Sequence, residues 1–309
     1  MRTLVVGAGA VGGYFGGRLL EADRDVTFLV RPRRATELAR DGLRIKSRMG
    51  DATLSAPATI LAEDLARAAG QFDLVLLGLK AYDLEGAMAS FAPAVGPETA
   101  ILPVLNGMRH LDLLDQRFGR ERVLGGQCVI AATLNAEHEI VHLNRSHSLS
   151  FGERDGTMSE RVQAIANLMA GARFEAWASA TIVLDMWEKW VFLATLAGGT
   201  CLMRGAIGEI VAAPGGADFV LRLLDECRAV AAAEGYPPSE AYVEHIRPML
   251  IAEGSKFTAS MLRDIENGAP IEADHVIGDL IRRGRDLSLL PIVYTHLKAY
   301  EARRTRREA

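Results

Sequence analysis

Six residues near the start of the chain, Gly7-Ala8-Gly9-Ala10-Val11-Gly12, have the composition and spacing to cradle a pyrophosphate. They follow a strand-like run and open a helical one, and in that context the three glycines have separate tasks. Gly7 permits the tight turn, Gly9 lets the backbone approach the phosphates, and Gly12 lets the helix pack closely on the strand. The helix N-terminus adds free N–H groups and the positive end of a dipole. The next apolar run ends at Arg31, where an NAD site would carry Asp or Glu for the ribose hydroxyl. Arg31 is followed by Arg33 and Arg34, and guanidinium forks suit a 2′-phosphate. The expected cofactor is NADPH; a solvated arginine loop is the plainer alternative.

These residues need a parallel sheet to position them. Leu4–Val6, Asp25–Val30, Asp73–Leu79 and Ala100–Leu105 are short apolar runs of strand type. They alternate with helical patterns over Val11–Glu21, from Pro32 onward, and over Leu84–Phe91 before Pro93. That alternation predicts α/β architecture: an N-terminal Rossmann-type doubly wound sheet. The stretch Val123–Phe151 alternates in the manner of antiparallel edge strands or a hairpin. From about Thr157 strands are expected to cease. Segments 159–170, 180–197, 216–234, 240–252, 258–266, 271–284 and 291–304 carry helical spacing, broken at Gly235-Tyr-Pro-Pro and Leu290-Pro291. An all-helical C-terminal domain follows, with the boundary near residue 178, giving domains 1–178 and 179–309. Glu301–Ala309 is expected to be a fraying helix end.

Composition excludes several classes. The chain has 309 residues, 49% of them hydrophobic and 24% charged, which is the balance of a folded globular protein. Its formal charge is 35 − 39 = −4, so nothing general favours nucleic acid or an anionic membrane. No apolar run approaches the roughly 20 residues of a membrane span, and the N-terminus lacks the apolar core of a signal peptide. Three cysteines, Cys128, Cys201 and Cys227, are too scattered for a disulfide framework or zinc site and read as reduced thiols of a cytoplasmic protein. His110, His142, His147, His245, His275 and His296 have no metal-like spacing and read as solvated or satisfied surface groups, with His138 in a turn.

Further along, Leu79-Lys80-Ala81, Leu105-Asn106-Gly107-Met108, Trp187-Glu-Lys189, Ser260-Met-Leu-Arg-Asp264 and Ile271-Glu272-Ala-Asp274 appear in that order. With the glycine loop they make the chain resemble ketopantoate reductase (2-dehydropantoate 2-reductase) over nearly its full length. The resemblance implies a Rossmann domain that binds NADPH and a helical domain that closes over it. It also implies reduction of the ketone of ketopantoate to D-pantoate, with a small-molecule 2-oxo acid as partner and a homodimer as one possible assembly. Two positions depart from the family pattern. Leu193, four after Lys189, and Ile207, before Gly208-Glu209, stand where the family has asparagines that hold the polar substrate.

Ketone reduction needs a hydride at carbon and a positioned proton at oxygen. By the resemblance Lys189 is the proton donor; by its spacing alone an ion pair with Asp185 serves equally well. Glu272 matches the family glutamate that orients the lysine and the cofactor side of the site, against a dipole-compensating role in a first helical turn after Pro270. Asn106 follows a strand's carboxyl end, where ligands bind in doubly wound sheets, and its amide can reach nicotinamide and substrate; a turn role before Gly107 is the alternative. Ser260 is a substrate contact by the resemblance, or a helix cap. Lys80 is assigned to the cofactor or the substrate, and Ala131 to a backbone contact with the nicotinamide. A relative acting on a more apolar 2-oxo acid, and an inactive NADP-sensing protein, are the competing readings.

Overall fold

The computed structural model describes residues 1–68 and 72–308. The chain forms two compact units, residues 1–105 with 110–182, and residues 106–109 with 183–309.

In the first unit, β1 (Thr3–Val6), β2 (Val26–Leu29), β5 (Thr59–Ile60), β6 (Leu74–Leu77) and β7 (Ala100–Pro103) form a parallel sheet in the order β5-β2-β1-β6-β7. The four expected strands are present: β1 starts one residue earlier, at Thr3, and the other three are shorter than expected by two or three residues. Strands β1, β6 and β7 are buried throughout, as near-continuous Val, Leu and Ile runs require in a sheet covered on both faces. The order reverses between β1 and β6, and that switch point is where such sheets bind ligands, at the strands' carboxyl ends.

A second sheet contains β3 (Leu43–Lys46), β4 (Ala52–Leu54), β8 (Gly125–Leu134), β9 (Ile140–Gly152) and β10 (Glu175–Ala178). The expected hairpin is the antiparallel β8–β9 pair, with a bulge between Ile130 and Ala132. Strand β10 corrects the expectation that strands cease at Thr157: it pairs in parallel with β9, register Ala176 to Leu149, behind the helix at 160–169.

Six helices accompany these sheets: α1 (Ala10–Glu21), α2 (Pro32–Asp41), α3 (Ala62–Leu65), α4 (Leu84–Phe91), α5 (Arg109–Phe118) and α6 (Glu160–Met169). Helix α1 lies between the two sheets. A Cβ on Gly16 would come 2.7 Å from the Phe28 ring of β2, and one on Gly17 would come 2.7 Å from Leu43 of β3. Helical glycine costs about 1 kcal/mol each relative to alanine. Fully buried Tyr14, Phe15 and Leu19, worth about 1.5–3 kcal/mol per large side chain, outweigh that cost.

The second unit is helical: α7 (Ile182–Met203, from Val183 onward), α8 (Ile207–Ala212), α9 (Gly216–Ala233), α10 (Glu240–Leu250), α11 (Ser260–Glu266), α12 (Asp279–Arg283) and α13 (Leu290–Glu308). The expected helix 271–284 is instead a π-helical turn, Asp274–Gly278, leading into α12, and α13 runs to Glu308 without ending near 304. Among the described residues no helix is long and apolar enough to cross a membrane.

Candidate active site

The glycine loop caps the switch point. Gly7 turns at φ +91°, a region that side chains disfavour, and Gly9 is the N-cap of α1. A Cβ on Gly12 would overlap the carbonyl of Gly7 and lie 3.2 Å from that of Gly78, to which the Gly12 N–H donates at 3.3 Å. Gly12 therefore joins the carboxyl ends of β1 and β6. A Cβ on Gly9, by contrast, would meet nothing within 4 Å. Ala8, Ala10 and Val11 complete this turn at the start of α1.

The neighbouring charges are more mixed than the sequence suggests. Arg31 is 83% exposed and pairs with Asp83 at 2.7 Å. Arg34 is the arginine drawn to the loop: its Nε donates to the Ala8 carbonyl at 3.2 Å, and its guanidinium pairs with Glu37, which also holds Arg33. Burial opposes ionisation of Glu37, but hydrogen bonds from the two arginines outweigh it and keep the carboxyl below its usual value. Carboxylates are thus close to the end of β2 in space, though neither is adjacent in sequence. Lys80 follows β6 at the start of a short 3-10 turn, Ala81–Asp83. Ala131 sits at the β8 bulge, where its N–H donates to Asn144 Oδ1 at 3.2 Å; only its carbonyl is left for a ligand.

In the helical unit the Trp187-Glu188-Lys189-Trp190 run sorts its side chains around α7. Trp187 stacks on Tyr236 and lies under the Arg283 guanidinium. Glu188 accepts from the Ser239 N–H and hydroxyl, which fixes the start of α10. The Trp190 indole N–H donates to the Val276 carbonyl at 2.9 Å, tying α7 to the π-turn. Lys189 is half-buried beside these anchors.

The turn at 106–109 joins this cluster. Gly107 has φ +78°, and a Cβ there would lie 2.7 Å from the His275 carbonyl and 3.7 Å from Trp190. Asn106 is therefore placed by the π-turn as well as by β7. Glu272 is 7% exposed and stands at the start of the π-turn, its carbonyl accepting from the Val276 N–H at 2.9 Å in the bond that opens the helical run. The turn is pinned from α13, where Tyr294 and Lys298 both donate to Asp274, at 2.6 and 3.1 Å. Burial opposes the Asp274 charge, but these bonds prevail and hold its carboxyl below the usual range. Asn106, Lys189 and Glu272 thus come from three segments joined at Val276 and His275. Ser260 opens α11, but the N-cap is Ala259 and no side-chain cap bond forms, so the capping role does not apply.

Of the two departures, Leu193 is half-buried one turn beyond Lys189. Ile207 is fully buried, with its N–H donating to the Phe257 carbonyl.

Three histidines correct the surface expectation: His110, His142 and His147 are buried. His147 pairs with the Tyr14 hydroxyl of α1 at 2.8 Å, and His142 with Ser47, which follows β3 beside β9, at 2.9 Å. Burial, then the charges of His142 and Arg18, push the His147 pKa down. Cys201 and Cys227 are buried, and desolvation pushes both thiols up to about 12, so neither serves as a nucleophile. Sequence reasoning missed Glu37, which pairs with Arg33 and Arg34 at i,i+4 and i,i+3 on α2, Asp83, which reaches Arg31 across 52 positions, and Arg109.

A parallel sheet in this order, with its glycine cradle at the reversal and a helical unit beside it in the chain, defines the class: a Rossmann-type oxidoreductase. Residues 3–156 match the family model described as Ketopantoate reductase PanE/ApbA, and residues 181–301 match Ketopantoate reductase PanE/ApbA C terminal. The chain belongs to this ketopantoate reductase family. It is 40% identical over 306 residues to the protein named uncharacterized oxidoreductase YkpB of Bacillus subtilis (strain 168), covering 98% of this chain and 99% of that one. It is 27% identical to the 2-dehydropantoate 2-reductase of Mesorhizobium japonicum, covering 92% of each. The crystal structure of 2-dehydropantoate 2-reductase from Geobacter metallireducens GS-15 superposes with a TM-score of 0.86 at 27% identity, covering 97% of this chain and 99% of that one.

Proposed function

We propose that this protein reduces a 2-oxo acid to a 2-hydroxy acid with NADPH. The observation that supports the reading is that the segments carrying Asn106, Lys189 and Glu272 meet at the π-turn, Gly107 against the His275 carbonyl and Trp190 on the Val276 carbonyl, in a chain whose other unit presents an open glycine cradle. The cradle fits a dinucleotide: Gly9 leaves free the volume that a Cβ would fill, and the α1 amides face a pyrophosphate there. Gly7, Ala8, Gly9, Ala10, Val11 and Gly12 hold the phosphates, with Arg31 and Lys80 as further contacts and the Ala131 carbonyl toward the nicotinamide. When bound, the cofactor supplies a hydride. Lys189 donates the proton to the ketone oxygen as charge develops there, a role worth about 10²–10⁴-fold in rate. Glu272, nearly enclosed, orients the lysine and the cofactor side of the site. Asn106 positions the carbonyl, and the Ser260 hydroxyl, which makes no hydrogen bond among the described residues, contacts the substrate.

The substrate offered by the family is ketopantoate, as in the enzymes named 2-dehydropantoate 2-reductase. One observation favours a more apolar 2-oxo acid: Leu193 brings an aliphatic side chain one turn from Lys189, and an unpaired substrate hydroxyl would be desolvated there. Fully buried Ile207 adds less to that preference. The test is NADPH oxidation by the purified protein with ketopantoate and with branched, linear and aromatic 2-oxo acids. Turnover with one of them and a hydroxy-acid product supports the proposal; no turnover with any overturns it.

A further inference from the structure

The 106–109 turn ends in a charge that the fold does not tie down with a hydrogen bond or ion pair among the described residues. Arg109 is the first residue of α5, where the unsatisfied N–H groups make a cation unfavourable. It is half-buried, yet it makes no hydrogen bond or ion pair with any described residue. An arginine in that position breaks a local electrostatic rule, and what it gains from the folded chain is a charge interaction with Asp274 without a hydrogen bond. Its surroundings are those of the proposed reaction. It stands three residues after Asn106, in the turn that Gly107 seats against His275. Its charge is felt at His275, whose pKa is lowered first by burial and then by Arg109, while Glu272 acts on the same imidazole in the opposite sense. His275 Nε2 is itself buried, with no hydrogen-bond partner among the described residues. Asp274, a carboxylate that registers the Arg109 charge, is already occupied by Tyr294 and Lys298.

We propose that Arg109 is the receptor for the substrate's carboxylate. This rests on the 2-oxo acid reading above and deepens it. A guanidinium offers a planar fork that a carboxylate can meet with two parallel bonds, which a lysine cannot reproduce. The anion thereby gains a partner at a point fixed by the same turn that places Asn106. The specificity assigned to Arg109 is for the acid over the neutral amide or ester of the same 2-oxo compound.

The test compares wild type, Arg109→Gln and Arg109→Lys, using 2-oxo-3-methylbutanoate, its neutral amide, and oxamate as an unreactive binding probe. Losing a charge-assisted contact should lower kcat/KM for the acid by about 10–100-fold in Arg109→Gln. The amide should be unaffected, and Arg109→Lys should fall between. Oxamate binding to the NADPH-loaded protein should weaken in parallel, while NADPH affinity and melting temperature stay unchanged. Equal effects on acid and amide overturn the inference. So does a loss confined to NADPH affinity, which would assign the anion to a cofactor phosphate. If wild type reduces 2-oxo acids and Arg109→Gln does so equally well, only this inference falls. If wild type reduces none, the functional reading falls and takes the inference with it.

Discussion

Two alanine substitutions in the glycine loop, Gly9→Ala and Gly12→Ala, separate ligand binding from folding. At Gly12 the added methyl would overlap the Gly7 carbonyl and press within 3.2 Å of the Gly78 carbonyl. Both obstacles are backbone at strand ends, so neither can rotate away as a side chain would. Overpacking of this kind costs about 1–3 kcal/mol, and a backbone obstacle on two sides puts the change near 3. For a unit of this size that lowers the melting temperature by about 6–12 °C. At Gly9 the methyl enters open space, and φ −87° with ψ −161° suits alanine. Losing glycine at an N-cap costs about 1 kcal/mol or less. The same methyl stands where the pyrophosphate must approach, so NADPH should bind about 10²-fold more weakly, near 2.7 kcal/mol. Thermal melts and fluorescence titration with NADPH measure the two effects. A Gly9→Ala variant that binds NADPH like wild type, or a Gly12→Ala variant that melts like wild type, refutes the reasoning.

Three more outcomes are expected. Arg31→Asp should weaken NADPH more than NADH by about 1–3 kcal/mol, and equal losses would show that Arg31 serves only its pair with Asp83. Leu193→Asn should shift kcat/KM toward ketopantoate relative to apolar 2-oxo acids; an unchanged ratio would remove Leu193 from substrate choice. Because burial, followed by the charges of His142 and Arg18, lowers the His147 pKa, the folded state binds fewer protons there than the unfolded chain. Stability should therefore fall as pH drops below about 6.5, and His147→Gln should flatten that slope in melts between roughly pH 5 and 7; a slope unchanged by the substitution would assign it to other groups.

Strands β1, β6 and β7 were legible because each is an apolar run beside a glycine or proline signal, and β2 through its apolar Val26, Phe28 and Val30 before Pro32. Strand β5 has two residues and β10 is half exposed, so neither carries a pattern that a sequence reading can separate from loop. The glycine loop was legible because its chemistry is local. What surrounds it was not: Arg34 reaches Ala8 across 26 positions, and Asp83 reaches Arg31 across 52. The proposed catalytic residues were legible only through family resemblance, since spacing alone left Lys189 equally suited to an ion pair. Its support by the π-turn was hidden, because a continuous helical pattern over 271–284 gives no sign of a wider turn. The buried histidines were missed for a similar reason. Their partners, Tyr14 and Ser47, lie more than ninety residues away in sequence.

The central claim is that Lys189 protonates the ketone oxygen in an NADPH-dependent reduction. The most direct measurement is single-turnover reduction of the best 2-oxo acid by NADPH-loaded wild type and Lys189→Ala, with NADPH affinity measured in parallel by fluorescence. The account predicts a rate lower by about 10²-fold or more in the variant, with NADPH affinity and fold unchanged. A variant that turns over at the wild-type rate would contradict it and leave Lys189 a structural residue of α7.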